Sequence, residues 1–198
     1  PYQLTEADRT VIGNTTPKFS GGFGLNATYK GFDMSMFFNF MYDFDVLNAN
    51  KIMLTTWADN KENNFLMDIA SDKRWRNFDD MGNEIRYSPE VLAEFNKNAT
   101  MWNPTSIGRP ICMSYAVEDG SFLRLNSATL GYTLPSVWTK KVGLSKVRFY
   151  VSGNNLFTLT GYSGYDPEVN IATGLTPNID YNRYPRSRTY TFGAQLTF

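Results

Sequence analysis

The residue types able to do chemistry in this chain are few. Its 198 residues include no histidine and one cysteine, Cys112. Without histidine there is no ordinary general base near neutral pH, no Ser-His nucleophile pair and no His-ligated metal within these residues. A single cysteine excludes an intrachain disulfide, and Cys112 reads as inert. Asp166 and Glu168 form a carboxylate pair of the kind glycosidases use. Here they sit in an Asp166-Pro167 turn just after Gly161 and Gly164, which reads as loop fixing. Gly153-Asn154-Asn155 reads as a turn, because no Lys-Ser/Thr follows to make a phosphate cradle. No bond chemistry, cofactor or metal is expected. What remains is binding. Trp57, Trp75, Trp102, Tyr115, Tyr162 and Tyr165 lie in irregular stretches, where aromatic faces can stack on the apolar faces of sugars. Their alternative role is to pin the loops to themselves or to a partner. Arg74 and Arg76 flank Trp75 and offer hydrogen bonds to a ligand or an acidic group, or are simply solvated.

The elements that must carry these side chains show in the hydropathy pattern. From Tyr190 to Phe198 every even position is apolar and every odd one is small or polar. That is a period-two strand with one greasy and one wet face, and it ends on an aromatic residue. Four more segments alternate. Phe19 to Tyr29 and Phe32 to Phe44 are joined by a tight Lys30-Gly31 turn. A third runs from Ala128 to Leu134, with an earlier start near Phe122 if a bulge at Asn126 absorbs the parity change of Leu123 and Leu125. The fourth runs from Val147 to about Ser152. The five apolar faces hold 25 positions, where about five charges are expected by chance, and none is found. Phe, Tyr and Met dominate them, whereas soluble sandwich cores favour Val, Ile and Leu.

Bulk properties agree with strands that cross a membrane. Basic and acidic residues balance at 19 each, so nucleic acid is not an expected partner. Aromatic residues reach 16%, while mean hydropathy is only −0.37. A helical membrane protein would show apolar runs of about 20 residues, and none is present. Transmembrane barrels look soluble on average because half of each strand faces water.

Connection lengths give an independent reading. Two connections are short, Lys30-Gly31 and Pro135 to Lys146; two are long, about 45–120 and 154–187. Outer-membrane barrels alternate short periplasmic turns with long extracellular loops. With the C-terminus in the periplasm, both long loops fall outside. Within the first, Ser88-Pro89-Glu90 followed by an apolar pattern and Asn96 predicts a short helix over 88–96. Arg148 and Tyr150 fall on the lumen-facing parity, where they would line a solute path or touch a plug. Five strands cannot close around a lumen, and the chain opens without Met or a hydrophobic leader. The expectation is therefore a C-terminal piece of a longer protein rather than a complete small one.

Several stretches together resemble one family. They are Thr10 to Asn14, Pro17 to Phe23, Asp119 to Asn126, Thr129 to Pro135, Val147 to Thr158, Tyr162 to Asn170 and Tyr184 to Gly193. In order and spacing they resemble the SusC/RagA-type TonB-dependent outer-membrane transporters. The region from about Leu47 to Met113 matches little.

The resemblance implies an all-β, antiparallel transmembrane barrel of 22 strands, of which residues 1–198 are the last five or so. It implies an N-terminal plug, energy from TonB-ExbB-ExbD, a SusD-like lipoprotein over the outer mouth, and a glycan or peptide as cargo, with a glycan favoured. It also implies that Phe198 is a signal to the outer-membrane assembly machinery. Two other readings stand beside it: a soluble β-sandwich carbohydrate-binding module and a passive porin.

Overall fold

The computed structural model describes residues 7, 9–56, 64–70, 72–104, 111–169 and 178–198. In chain order the elements are β1 (Phe19–Tyr29), β2 (Phe32–Tyr42), β3 (Asp45–Asn48), α1 (Ala49–Met53), α2 (Pro89–Asn96), β4 (Val117–Asp119), β5 (Phe122–Thr133), α3 (Ser136–Thr139), β6 (Lys146–Thr160), β7 (Ile179–Asp180) and β8 (Thr189–Thr197). The chain divides into two compact units, one of residues 1–46 with 117–198 and one of residues 47–116.

The first unit is built on a five-stranded antiparallel sheet in the order β1-β2-β5-β6-β8. Its register preserves the predicted faces. Phe23 pairs with Phe38 and Leu25 with Met36; Met34 pairs with Leu130, Leu130 with Val151 and Val151 with Phe192. One face is therefore apolar and uncharged across every strand. The side chains on it stand open: Phe32 is 50%, Phe149 51% and Phe192 80% exposed. The sandwich alternative needs a second sheet over this face. The other sheet, β4-β3-β7, consists of strands of two to four residues, too short to cover it. A bare apolar face across five strands is stable only against hydrocarbon. The sheet is a section of a membrane-spanning wall, with the backbone groups of β2, β5 and β6 paired on both sides.

The bulge at Asn126 is present. Phe37 and Phe38 of β2 pair with Ser127 and Leu125, which leaves Asn126 without a partner. Opposite it, Leu125 pairs with Phe157 and Ser127 with Asn154, so Asn155 and Leu156 of β6 face that one residue. The extra residue flips the parity and returns Leu123 and Leu125 to the apolar face. This corrects the reading of Gly153-Asn154-Asn155 as a turn. Asn155 has φ 53°, and the strand bulges there and runs on to Thr160. Asparagine tolerates a left-handed backbone, and a bulge needs one as much as a turn does.

Strand ends also differ from expectation, β8 closing at Thr197, one residue short of Phe198. β2 stops at Tyr42, not Phe44. Asp43 takes φ 59°, which breaks the alternation and turns Phe44 inward. Phe44 is 3% exposed in a cluster with Val46, Phe122, Tyr162 and Val169, with Met41 against it. This is a small core of the unit, on the polar side of the wall at the end bordered by the long connections. β5 ends at Thr133, one residue short of Leu134.

The second unit carries the predicted helix as α2. Pro89 occupies its first turn, but the Ser88 hydroxyl makes no capping bond; the Ser88 carbonyl accepts from Leu92 N at 2.9 Å instead. Asn96 closes the helix and is buried. Its amide donates to Arg76 O and Leu92 O, both at 2.9 Å, and its carbonyl accepts from Arg76 N at 2.6 Å.

Candidate functional site

On the polar face of the wall, the row Asp33–Gly131–Tyr150–Gly193 runs across β2, β5, β6 and β8. Large and small residues alternate along it. Arg148, on the same face, reaches over Gly131 and grips the Asp33 carboxylate, with Nε–Oδ1 at 2.9 Å and Nη2–Oδ2 at 2.5 Å. A Cβ at Gly131 would strike both partners. The Tyr150 ring covers Gly193, and the Arg148 guanidinium sits 5.2 Å from its centre. The two predicted lumen residues thus form one assembly at the end of the wall nearest the Lys30-Gly31 turn, held by a cation–π contact and a two-pronged ion pair. Asp33 is the member that pattern reading passed over.

A second assembly stands at the opposite end, beside the long connections. Arg124 of β5 is 2% exposed and binds Asp166 with both terminal nitrogens, Nη1–Oδ2 at 3.2 Å and Nη2 on Oδ1. Glu168 accepts from Arg186 at 2.9 Å and lies 3.8 Å from Arg124. Asp166 also accepts from Glu168 N at 2.9 Å, which closes the turn predicted at Asp166-Pro167. Arg124 thus holds the loop carboxylate of Asp166 against the wall, and Arg186, on the chain before β8, holds Glu168. A buried carboxylate requires such partners, and Arg124 lies 42 residues away from Asp166 in sequence.

The predicted aromatic residues separate. Tyr162 is buried in the core, and its hydroxyl donates to Asp180 at 2.7 Å. Burial, then that carboxylate, pushes the hydroxyl well above the ordinary tyrosine range. Tyr165 is 83% exposed beside the Arg124–Asp166 pair. In the second unit Trp102 donates to Thr55 O at 3.2 Å and meets Tyr115 edge-on at 5.2 Å. Tyr115 donates to Asp68 at 2.6 Å under the Lys51 ammonium, 4.8 Å from the ring. Trp75 is tied by its backbone to Met101 at 2.8 Å, and its side chain stays 41% exposed. Arg76 pairs with Asp80 and lies over the Phe95 ring. Trp57 falls outside the described residues. Phe198 is 90% exposed, and Ser145 Oγ donates to its carbonyl at 3.2 Å. Among the described residues no three His, Cys, Asp or Glu side chains gather as a metal site.

No protein-family profile matches the chain. Individual relatives do. A TonB-dependent receptor P3 of Formosa agariphila is 35% identical over 202 aligned residues, which cover 99% of this chain and 18% of that receptor. The TonB-dependent receptor SusC of Bacteroides thetaiotaomicron is 38% identical over 88 residues, 42% of this chain and 8% of SusC. Among solved structures, the RagAB peptide importer in its closed-closed state superposes with TM-score 0.75 at 25% identity, covering 99% of this chain and 19% of that one. The chain thus spans under a fifth of the length of the relatives it matches along its whole length. The paired strands, the charge-free face and these likenesses agree: the chain belongs to the SusC/RagA family of TonB-dependent outer-membrane receptors, and its sheet is a section of their barrel wall.

Proposed function

We propose that this chain is the C-terminal section of a TonB-dependent importer that brings a nutrient across the outer membrane. Its strands form the last part of the wall. Its long connections form part of the outer vestibule, under a SusD-like lipoprotein. Plug and TonB box belong to the remainder of the protein, through which TonB-ExbB-ExbD acts. The observation that carries this reading is the uncharged apolar face running unbroken over five paired strands, with Arg148, Tyr150 and Asp33 on the other side. Such a wall separates lipid from a watery bore, and transport then requires no bond chemistry.

The cargo we favour is a glycan. The exposed rings of Trp75 and Tyr165 suit sugar stacking, while Tyr162, Trp102 and Tyr115 have their polar atoms engaged within their own units. A peptide is the second reading, favoured by the likeness to the RagAB peptide importer. Uptake of labelled oligosaccharides and of labelled oligopeptides by cells with and without the intact receptor, each with and without TonB, tests both. Loss of one cargo class on deleting either the receptor or TonB is expected. Uptake that survives TonB deletion would make the protein a passive porin.

A further inference from the structure

β6 outlasts its neighbour at the outer end. The last rung joining it to β8 is Asn154–Thr189, yet β6 continues to Thr160. The chain before β8 fills part of this notch, tied by Asn155 Nδ2 donating to Ser187 O at 3.1 Å. Between them remains a cavity of about 270 Å³, lined among others by Arg124, Arg186, Arg188, Thr158, Asp166 and Tyr165. That volume is at the small end for ligand pockets and has room for one ring-sized group.

The charges in it do not cancel. Arg124 is held by Asp166, and Arg186 by Glu168. Arg188 has no ion-pair partner among the described residues and is exposed. Three guanidinium groups against two carboxylates leave one positive charge. In addition, among the described residues Arg124 Nε is buried with no hydrogen-bond partner, as is Glu168 Oε2 on the other side of the cluster. A donor held out of water without an acceptor is costly unless something fills the position. The Tyr165 ring and the Thr158 hydroxyl add a stacking face and a neutral polar contact.

We propose that this notch binds the carboxylate of an incoming molecule, with Arg188 as its principal ion-pair partner and Tyr165 as the surface on which the attached group rests. A terminal sugar acid and a peptide C-terminus offer the same chemistry. The proposal rests on the import reading only in taking that molecule for cargo; binding itself is measured apart from transport.

The test uses the full receptor carrying this chain, purified in detergent, and isothermal titration with four probes: digalacturonate, its methyl ester, trialanine and trialanine amide. At least one free acid should bind, and its neutral counterpart should bind about tenfold more weakly or worse. Arg188→Gln should weaken the acid about five- to tenfold and leave the neutral form unchanged, while Arg188→Lys should restore part of the loss. The acid that binds identifies the source. Equal affinity for acid and neutral forms, no binding by either acid, or no effect of Arg188→Gln would each overturn the proposal. TonB dependence of uptake is read separately, so loss of that dependence would sink the import reading and leave the carboxylate site standing.

Discussion

Arg148 and Asp33 meet across an intervening strand. They lie 115 residues apart in sequence, on β6 and β2, and β5 passes beneath their contact. Gly131 is what lets the side chains bridge over it, because a Cβ there would occupy the place of the Arg148 guanidinium and the Asp33 carboxylate. The pair ties three strands on the lumen side, apart from the small core around Phe44.

Replacing Gly131 with Ala should therefore break the Arg148–Asp33 bridge and lower the temperature at which the barrel loses its heat-modified mobility on a gel. Gly161→Ala is the control, since no atom of the described residues lies within 4 Å of a Cβ there. Equal behaviour of the two variants would remove Gly131 from the account.

Removing one partner of the buried Arg124–Asp166 pair should be costly. Arg124→Leu strands the Asp166 carboxylate away from water and should destabilise the receptor by roughly 3–5 kcal/mol in denaturant titration. The double variant Arg124→Leu/Asp166→Leu should recover much of that loss, because no buried charge is left unpaired. If the double variant fares no better than the single one, the pair is not the coupled unit described here.

Alkaline pH should loosen the outer core. Tyr162 holds its proton above the ordinary range, chiefly through burial and then through Asp180. The folded state therefore keeps a proton that the unfolded state releases at about pH 10. The resulting stabilisation is complete below that pH and declines as pH rises above it. Tyr162→Phe should abolish this part of the alkaline decline, and absorbance at about 295 nm should show one tyrosine fewer titrating late. Such a variant also leaves Asp180 without its hydroxyl donor, so it should be less stable at neutral pH by about 1–3 kcal/mol.

Trp102 and Tyr115 form one packed contact with Thr55 and Asp68 inside the second unit. Trp102→Ala should raise proteolytic nicking within 47–116 while leaving the heat-modified mobility of the barrel unchanged. A shift in barrel mobility instead would mean that this unit is part of the wall's stability.

What could be read from the residues follows from what each feature depends on. Strand faces depend on local alternation, so β1, β2 and β8 stood clear, and even the bulge at Asn126 left a trace as a parity change at Leu123 and Leu125. Helix α2 was legible because Pro89 marks a first turn locally. The upper half of β6 was hidden, since a bulge at Asn155 uses the same residue types as a turn. The parity of Phe44 fits the lipid side; the left-handed Asp43 that redirects it has no unique signature. The Arg124–Asp166 and Arg148–Asp33 pairs join residues 42 and 115 positions apart. No spacing rule connects such distances, and only the sheet order brings the partners together.

The wall itself is tested most directly along β5. Single nitroxide labels at each position from Leu123 to Tyr132, in the receptor reconstituted in bilayers, report collision with oxygen in lipid and with a nickel chelate in water. Lipid access is predicted at odd positions before Asn126 (Leu123, Leu125) and at even positions after it (Ala128, Leu130, Tyr132), with the phase reversing at the bulge. Equal access at odd and even positions, or one unbroken phase through Asn126, would contradict a barrel wall built in this register.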